Sequence, residues 1–231
     1  GDSLSDLVEP GTVTYAFSWT DVSNEWVESG LIQNDLGYTF ELEQAQLGVY
    51  RIQLVPCETS ETLGLFDAFS LMPVAYAGHD DGPPDPSAYS AGLVEGIGRD
   101  DAPEIPSVLL DAGTYCGVHL LYAETPEFAA GVEDGMVGLT LLLRGAWRSD
   151  WSKGTASFEL MTTLGNGVMH EFEAEGKPPL DLSIHGVHVQ IARSMAGLFD
   201  GMDPEVMTDD ALAKVFLTNL VKNTTIKTEV L

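Results

Sequence analysis

The histidines are the residues of this chain with the widest chemistry, because an imidazole nitrogen binds copper or zinc and exchanges a proton near neutral pH. There are five of them: His79, His119, His170, His185 and His188. The sequence contains no GxSxG elbow, no HExxH motif and no phosphate-binding P-loop. The histidines therefore favour metal binding over catalysis as their role.

His79 follows a strand-like apolar run in "VAYAGHDDG", where Gly78 allows the backbone to turn. Asp80 and Asp81 beside it raise the local negative potential and favour a cation. The segment from about 77 to 107 is rich in proline, glycine and aspartate, and connections of that length are often functional. His79 is either a metal ligand or a polar residue at the end of a strand.

His119 occupies the middle of the strand-like run "TYCGVHLLYAE". Alternation places it on the face opposite Cys116 and Val118. Its bulky neighbours favour a core or inter-sheet histidine with a hydrogen-bond partner, and the alternative is a metal ligand. If the 77–107 segment folds back over this strand, His79 and His119 form the leading metal-binding pair.

A second candidate pair, His185 and His188, lies in "LDLSIHGVHVQIARS". The apolar residues change phase there, from even positions such as Leu182 to odd positions such as Val187, and a bulge at Gly186 would account for the change. The two imidazoles would then project from the non-core face about 6 to 7 Å apart, as the strand rise dictates. They either share a metal ion or are polar side chains of the surface.

The remaining histidine, His170, falls in "ASFELMTTLGNGVMHEFEAEG", which predicts a hairpin turning at residues 165–167. That register places Leu160 opposite Phe172. His170 would lie opposite Thr162 as a semi-buried histidine with a hydrogen-bond partner.

Two groups of acidic residues could supply oxygen ligands to calcium. The first group comprises Asp80, Asp81 and Asp85, and the second comprises Asp200, Asp203 and Glu205. Neither group has the spacing of an EF-hand loop, and Asp203–Pro204–Glu205 is also typical of a helix start.

Cys57 and Cys116 are the two cysteines of the chain, each in or just after a strand-like run. Two strand cysteines without CxxC spacing favour one disulfide over a zinc site, and a disulfide places the protein outside the cytosol. The alternative is two buried free thiols in a cytosolic core.

The charge balance excludes some partners. The chain has 36 acidic residues against 10 basic ones, for a formal charge of -26, and such a surface repels phosphate backbones and anionic lipid. No apolar run reaches about 18 residues, so no transmembrane segment is predicted. The opening "GDSLSDLVEPG" has no basic, apolar signal region, so an exported protein would have had its signal peptide removed.

Alternating apolar residues predict strands as far as about residue 193. The predicted one-face sets are Val13, Tyr15, Phe17 and Trp19; Tyr50, Ile52 and Leu54; and Val137, Leu139, Leu141 and Leu143. Near the end, "TDDALAKVFLTNLVKN" predicts a helix capped by Thr208, and "TTIKTEVL" predicts a last strand. We expect a single domain over 1–231, mainly β, an antiparallel β-sandwich with a C-terminal helix.

Three stretches, "VAYAGHDDG", "DAGTYCGVHLLY" and "VHVQIARSMAGLFDGMD", resemble bacterial secreted or lipid-anchored proteins akin to the MbnP-like copper-binding family. The resemblance implies a periplasmic or cell-surface β-sandwich with a role in copper handling. Some surface copper binders of methane-oxidising bacteria use an oxidised tryptophan in a W-x-H arrangement. No tryptophan of this chain is followed two residues on by histidine, so that kind of site is not expected.

These observations together predict an exported, non-enzymatic protein that binds a metal ion, with copper as the metal and His79, His119, His185 and His188 as candidate ligands. The alternative is an adhesion or recognition sandwich whose long loop binds a protein or glycan partner, with calcium as its ion. A hydrolase is a third and weaker interpretation.

Overall fold

The computed structural model describes residues 11–57, 88–99, 101–133, 135–149, 154–172, 176, 178–182 and 186–231. Its strands are β1 (Thr12–Thr20), β2 (Leu31–Gln33), β3 (Tyr38–Val49), β4 (Arg51–Pro56), β5 (Ala88–Tyr89), β6 (Leu93–Gly96), β7 (Val108–Leu109), β8 (Thr114–Tyr122), β9 (Leu141–Ser149), β10 (Ala156–Thr162), β11 (Asn166–Glu171), β12 (Leu180–Asp181), β13 (Val187–Ser194) and β14 (Thr224–Val230). The two helices are α1 (Asn24–Ser29) and α2 (Asp209–Lys222).

The described strands form three sheets. Sheet A has the order β14-β13-β1-β7; sheet B has the order β10-β9-β3-β2, with β6 also on β3; sheet C has the order β11-β8-β4-β5, with β12 also on β8. All these pairings are antiparallel except β1 with β13, which is parallel. The predicted class, mainly β with antiparallel sheets and a helix near the C-terminus, is confirmed.

One hydrophobic core connects the three sheets and the second helix. Val189 of sheet A, Phe40 of sheet B, Leu120 of sheet C and Phe216 of α2 belong to the same cluster and have no exposed surface. Alternation in each strand provides this inner face, as the sequence predicts for β1, where Val13, Tyr15 and Trp19 are buried. Three members of the other predicted sets lie outside it. Tyr50 stands between β3 and β4 at 37% exposure, and Val137 is 49% exposed in a loop. Leu139, in the same loop, packs against a separate small cluster.

The helix and the last strand are as predicted. The side chain of Thr208 accepts a hydrogen bond from the backbone N–H of Ala211, which satisfies one of the free donors of the first turn of α2. Asp209 and Asp210 occupy the helix N-terminus and Lys222 its last turn, where each charge complements the helix dipole.

The disulfide between Cys57 and Cys116 is also confirmed, and no free cysteine exists. The two Cα atoms are 4.8 Å apart. Cys57 directly follows β4, and Cys116 lies in β8, its neighbour in sheet C. The bond therefore joins neighbouring strands.

The predicted hairpin across residues 165–167 is wrong. β10 pairs with β9 in sheet B, whereas β11 pairs with β8 in sheet C, so the chain crosses from one sheet to the other at the predicted turn. Both strands direct apolar residues toward the shared core, and that pattern is the same for a hairpin and for a crossing. His170 is buried as expected, but its register partner is Val118 and not Thr162.

Two further expectations are changed by the sheet pairing. The predicted 77–107 loop is wrong for its middle part, because β5 and β6 lie within it; residues 77–87 lie outside the described residues. The phase change between Leu182 and Val187 coincides with a passage from β12 in sheet C to β13 in sheet A, and not with a bulge in one strand. Residues 183–185 lie outside the described residues.

A buried ion pair lies where the three sheets meet. Arg193 of β13 is 1% exposed, and its guanidinium contacts the carboxylate of Glu95 of β6, which has no exposed surface. The same guanidinium donates a hydrogen bond of 3.2 Å to the Tyr122 hydroxyl of β8. It also faces the rings of Phe17 and Trp19 at 4.7 and 5.7 Å. One side chain of sheet A thus contacts polar groups of sheets B and C.

Candidate functional site

His119 lies on the outer face of sheet C and not in the core, so the expectation of a core or inter-sheet histidine is wrong. It is half-buried between Gln53 of β4 and Met169 of β11, its register partners. Burial, and secondarily the positive charge of Arg51, lower the pKa of the His119 imidazole. The imidazole is therefore neutral at pH 7, the form that binds a metal ion.

Two glycines of sheet C leave room for the side chains beside them. A Cβ at Gly167 would lie 3.2 Å from Nε2 of His119, and a Cβ at Gly117 would lie 2.7 Å from Cε of Met169. The imidazole and the thioether therefore lie on the same face of adjacent strands, but they lean in opposite directions along the pair, each over its own glycine. Imidazole nitrogen and thioether sulfur are each ligands that suit copper better than calcium.

The other candidate ligands do not join His119 in the described part of the chain. His188 lies on the outer face of sheet A, where Nδ1 is 3.0 Å from the Thr14 hydroxyl oxygen. His79 and His185 lie outside the described residues, so both predicted pairs stay predictions. Among the described residues, no three histidine, cysteine, aspartate or glutamate side chains are grouped to hold a metal ion.

Carboxylates of the second acidic group accept hydrogen bonds from residues at and just before the start of β3. Asp200 accepts from the backbone N–H of Asp35 at 3.1 Å, and Asp203 accepts from the Tyr38 hydroxyl at 2.9 Å. Burial, followed by the hydrogen bond and charge of Asp203, raises the pKa of Tyr38 to about 12. These carboxylates join the segment 195–207 to the start of β3. Asp80, Asp81 and Asp85 of the first group lie outside the described residues.

A polar cleft of about 480 Å³ lies on the outer face of sheet B. Its floor is formed by β3 and β9. Its walls are formed by a loop that includes Gly131 and Glu133 and by Val94, Gly96, Arg99, Asp101 and Pro103. A β-bulge in β3 between Leu42 and Gln44 shapes the floor. Before the bulge Leu42 faces the core; after it Leu47 does, so the phase of the strand has changed by one residue.

The polar side chains of the cleft floor are held by one another. Gln44 donates to the Gln46 side-chain oxygen at 2.8 Å, and Gln46 donates to the Glu133 carboxylate at 2.7 Å. Arg144 donates to Gln44 at 3.4 Å and to the Glu159 carboxylate at 2.6 Å. The amides and the guanidinium therefore have fixed orientations, so these side chains lose less conformational entropy when a ligand binds.

The rim of the cleft is exposed and charged. Glu43 projects from the bulge, and Arg99 and Asp101 project from the wall after β6. A Cβ at Gly96 would lie 2.8 Å from the Asp101 carboxylate, so the glycine leaves room for this side chain against the wall. The lining carries three carboxylates, Glu43, Asp101 and Glu133, and two guanidiniums, Arg99 and Arg144. The arrangement can form hydrogen bonds in many directions, with donors and acceptors both present.

The sequence reasoning missed this cleft, although a signal for it exists. In "FELEQAQLGV" the apolar residues move from even positions, Phe40 and Leu42, to odd positions, Leu47 and Val49. That change predicts a bulge and places Gln44 and Gln46 on the same outer face. The sequence contains no comparable signal for the pairing of β9 with β3, which brings Arg144 beside Gln44.

Comparisons with known proteins found no match. No protein-family model matches the chain, and neither a curated protein nor a solved structure is similar to it. In the described part of the chain, no helix is both long and apolar enough to cross a membrane. The resemblance to the MbnP-like family therefore stays a prediction.

Proposed function

We propose that this protein is an extracytoplasmic, non-enzymatic recognition domain whose ligand site is the polar cleft of sheet B. The cleft carries the proposal, because its volume of about 480 Å³ lies within the roughly 300 to 1,000 Å³ of small-ligand sites. The Cys57–Cys116 disulfide supports a place outside the cytosol, where such bonds persist.

The outer position of the cleft also supports recognition. The cleft lies on the strand face that points away from the core, and its floor side chains are oriented before a ligand arrives. Bulges often re-aim side chains beside binding sites, and the bulge at Glu43 has this effect on the rim.

The test is binding of the labelled protein to an array that carries both oligosaccharides and peptides. Arg99→Ala and Glu43→Gln change exposed residues of the rim. Arg148→Ala and Glu41→Gln are matched controls, because both residues are exposed on β9 and β3 but lie outside the cleft. We expect the rim variants to lose binding and the controls to keep it. Equal binding by all four variants would contradict the proposal.

A second candidate function is binding of a soft metal ion, copper above all, at the outer face of sheet C. His119 favours it, because its lowered pKa keeps the imidazole neutral, the form that binds a metal ion. His79 is the partner that the sequence predicts.

Calorimetric titration with copper and with zinc, on protein without a histidine tag, tests the metal-binding candidate. We expect His119→Ala to weaken copper binding about tenfold or more, since loss of one ligand in a small set removes much of the affinity. Gln190→Ala is the control on sheet A, because Gln190 is half-buried on β13 and is not a candidate ligand. Unchanged affinity in His119→Ala would exclude this candidate.

A further inference from the structure

The geometry points to an uncharged, polyhydroxylated ligand, a neutral oligosaccharide, as the occupant of the polar cleft of sheet B. This inference rests on the proposed function, because it names the ligand class of the same site.

The lining chemistry is the first argument. The floor and rim present planar amide, carboxylate and guanidinium groups, and the apolar contribution comes from a few small side chains such as Val94 and Pro103. These groups use only part of their hydrogen-bonding capacity on one another. An apolar ligand would take water from the donors and acceptors that remain, at a cost for each buried group. A ligand with many hydroxyls, each both a donor and an acceptor, can satisfy amide, carboxylate and guanidinium together.

The charge of the cleft disfavours anionic ligands. The lining has three carboxylates against two guanidiniums, and one of those guanidiniums, that of Arg144, is already paired with Glu159. The chain as a whole carries -26, which repels an anionic polymer before it reaches the site. A neutral ligand avoids this penalty, and a basic peptide is the probe for the cationic alternative.

The position of the cleft distinguishes a saccharide from an extended peptide. Peptides that add to a sheet bind at a strand edge, where backbone N–H and C=O groups are free. Here β3 is paired with β9 on one side and with β2 and β6 on the other, which leaves only the stretch 42–45 without a strand partner on that side. Within it, the Leu42 N–H donates to the Gly30 carbonyl and the Ala45 carbonyl accepts from the Ile97 N–H, so the open edge is too short for an added peptide strand. The amide series Gln44–Gln46–Glu133 extends along the floor and can contact successive hydroxyls of a chain of sugar rings.

Calorimetry and ligand-observed NMR with defined probes test the inference. The probes are neutral gluco-, manno- and galacto-oligosaccharides, an oligogalacturonate, and one acidic and one basic peptide of similar length. We expect at least one neutral oligosaccharide to bind with an affinity that is unchanged by added salt, because no net charge is neutralised. Arg99→Ala and Glu43→Gln should weaken it about tenfold, the effect of one charge-assisted hydrogen bond. Arg148→Ala and Glu41→Gln should leave it unchanged.

The outcomes separate the inference from the proposed function. Binding of a peptide or of the oligogalacturonate alone, lost in Arg99→Ala, would overturn the saccharide inference and keep the cleft as the ligand site. Saccharide binding that survives both rim variants would place the saccharide elsewhere and overturn the inference. If no probe of any class binds, both the inference and the recognition function fail.

Discussion

Replacement of Arg193 by methionine is the perturbation with the largest predicted effect on stability. Methionine keeps most of the side-chain volume but leaves the Glu95 carboxylate buried without its cation, and Glu95 has no exposed surface. Breaking a buried pair in this way costs about 3 to 5 kcal/mol. The variant also loses the hydrogen bond to Tyr122 and the contact of the guanidinium with the ring of Phe17, which adds about 1 kcal/mol or more.

The double variant Arg193→Met/Glu95→Leu separates pairing from packing. With both charges removed, no group is left buried and charged, and apolar replacement of a buried pair is often neutral or stabilising. We therefore expect the double variant to recover most of the stability that Arg193→Met loses. Burial lowers the pKa of Arg193 to about 9, which leaves the guanidinium charged at neutral pH and able to pair with the Glu95 carboxylate.

Urea unfolding followed by tryptophan fluorescence measures these changes, and Trp19 lies beside Arg193 to report on the local packing. Arg148→Met is the control, since Arg148 is exposed on β9, and it should change the free energy of unfolding by less than about 0.5 kcal/mol. In Arg193→Met, the orphaned Glu95 should acquire a raised pKa, so the variant should be relatively more stable at acid pH and lose that stability as the pH rises. A loss below about 1 kcal/mol, or additive effects in the double variant, would refute the reasoning.

Three other predictions concern the framework of the fold. Cys57→Ala/Cys116→Ala should lose about 4 kcal/mol of unfolding free energy, from the separation of 59 residues that the bond closes; the reduced wild-type protein should match it in the same urea titration. The phenol of Tyr38 has its pKa raised to about 12. The stability that it contributes is therefore present below about pH 10 and is lost as the pH rises toward 12. In an ultraviolet titration, Tyr38→Phe should lose one of the tyrosines that ionise only at high pH. Gly145→Ala would press its Cβ against the backbone carbonyl of Glu41 and should cost about 1 to 3 kcal/mol in thermal unfolding, and an unchanged melting temperature would show that the backbone can move there.

The sequence predicts those features of the fold that depend on residues close together in the chain. The Thr208 cap predicts the start of α2, because capping needs only residues within one turn. The alternation around Val13 predicts β1 and its inner face, since a strand has a period of two. The disulfide partners Cys57 and Cys116 were found because the chain has no other cysteine.

Pairing between distant strands could not be predicted in the same way. A strand that turns back on its neighbour and a strand that crosses to the opposite sheet bury the same residues, so "LGNG" after β10 is compatible with both arrangements. The parallel pair of β1 with β13 joins residues more than 170 positions apart in the chain, such as Val13 and Val187. No local signal specifies such a contact. The cleft depends on other pairings between distant strands, those of β3 with β9 and with β6, and the spacing of the histidines carries no information about them.

The short strand β6 shows how one stretch of sequence contributes to both the core and the candidate site. In "LVEG" the side chain of Glu95 points inward to Arg193, while Val94 and Gly96 on either side of it line the cleft. A glutamate in an apolar strand is costly to bury unless a cation meets it. Arg193 follows Val189 and Ile191 at the alternate positions of β13 that face the core. The sequence of each strand therefore shows a charged residue at a core position, although neither shows that the two residues pair. The ion pair holds β6 against sheet A from within, and the position of β6 in turn determines where the cleft wall stands.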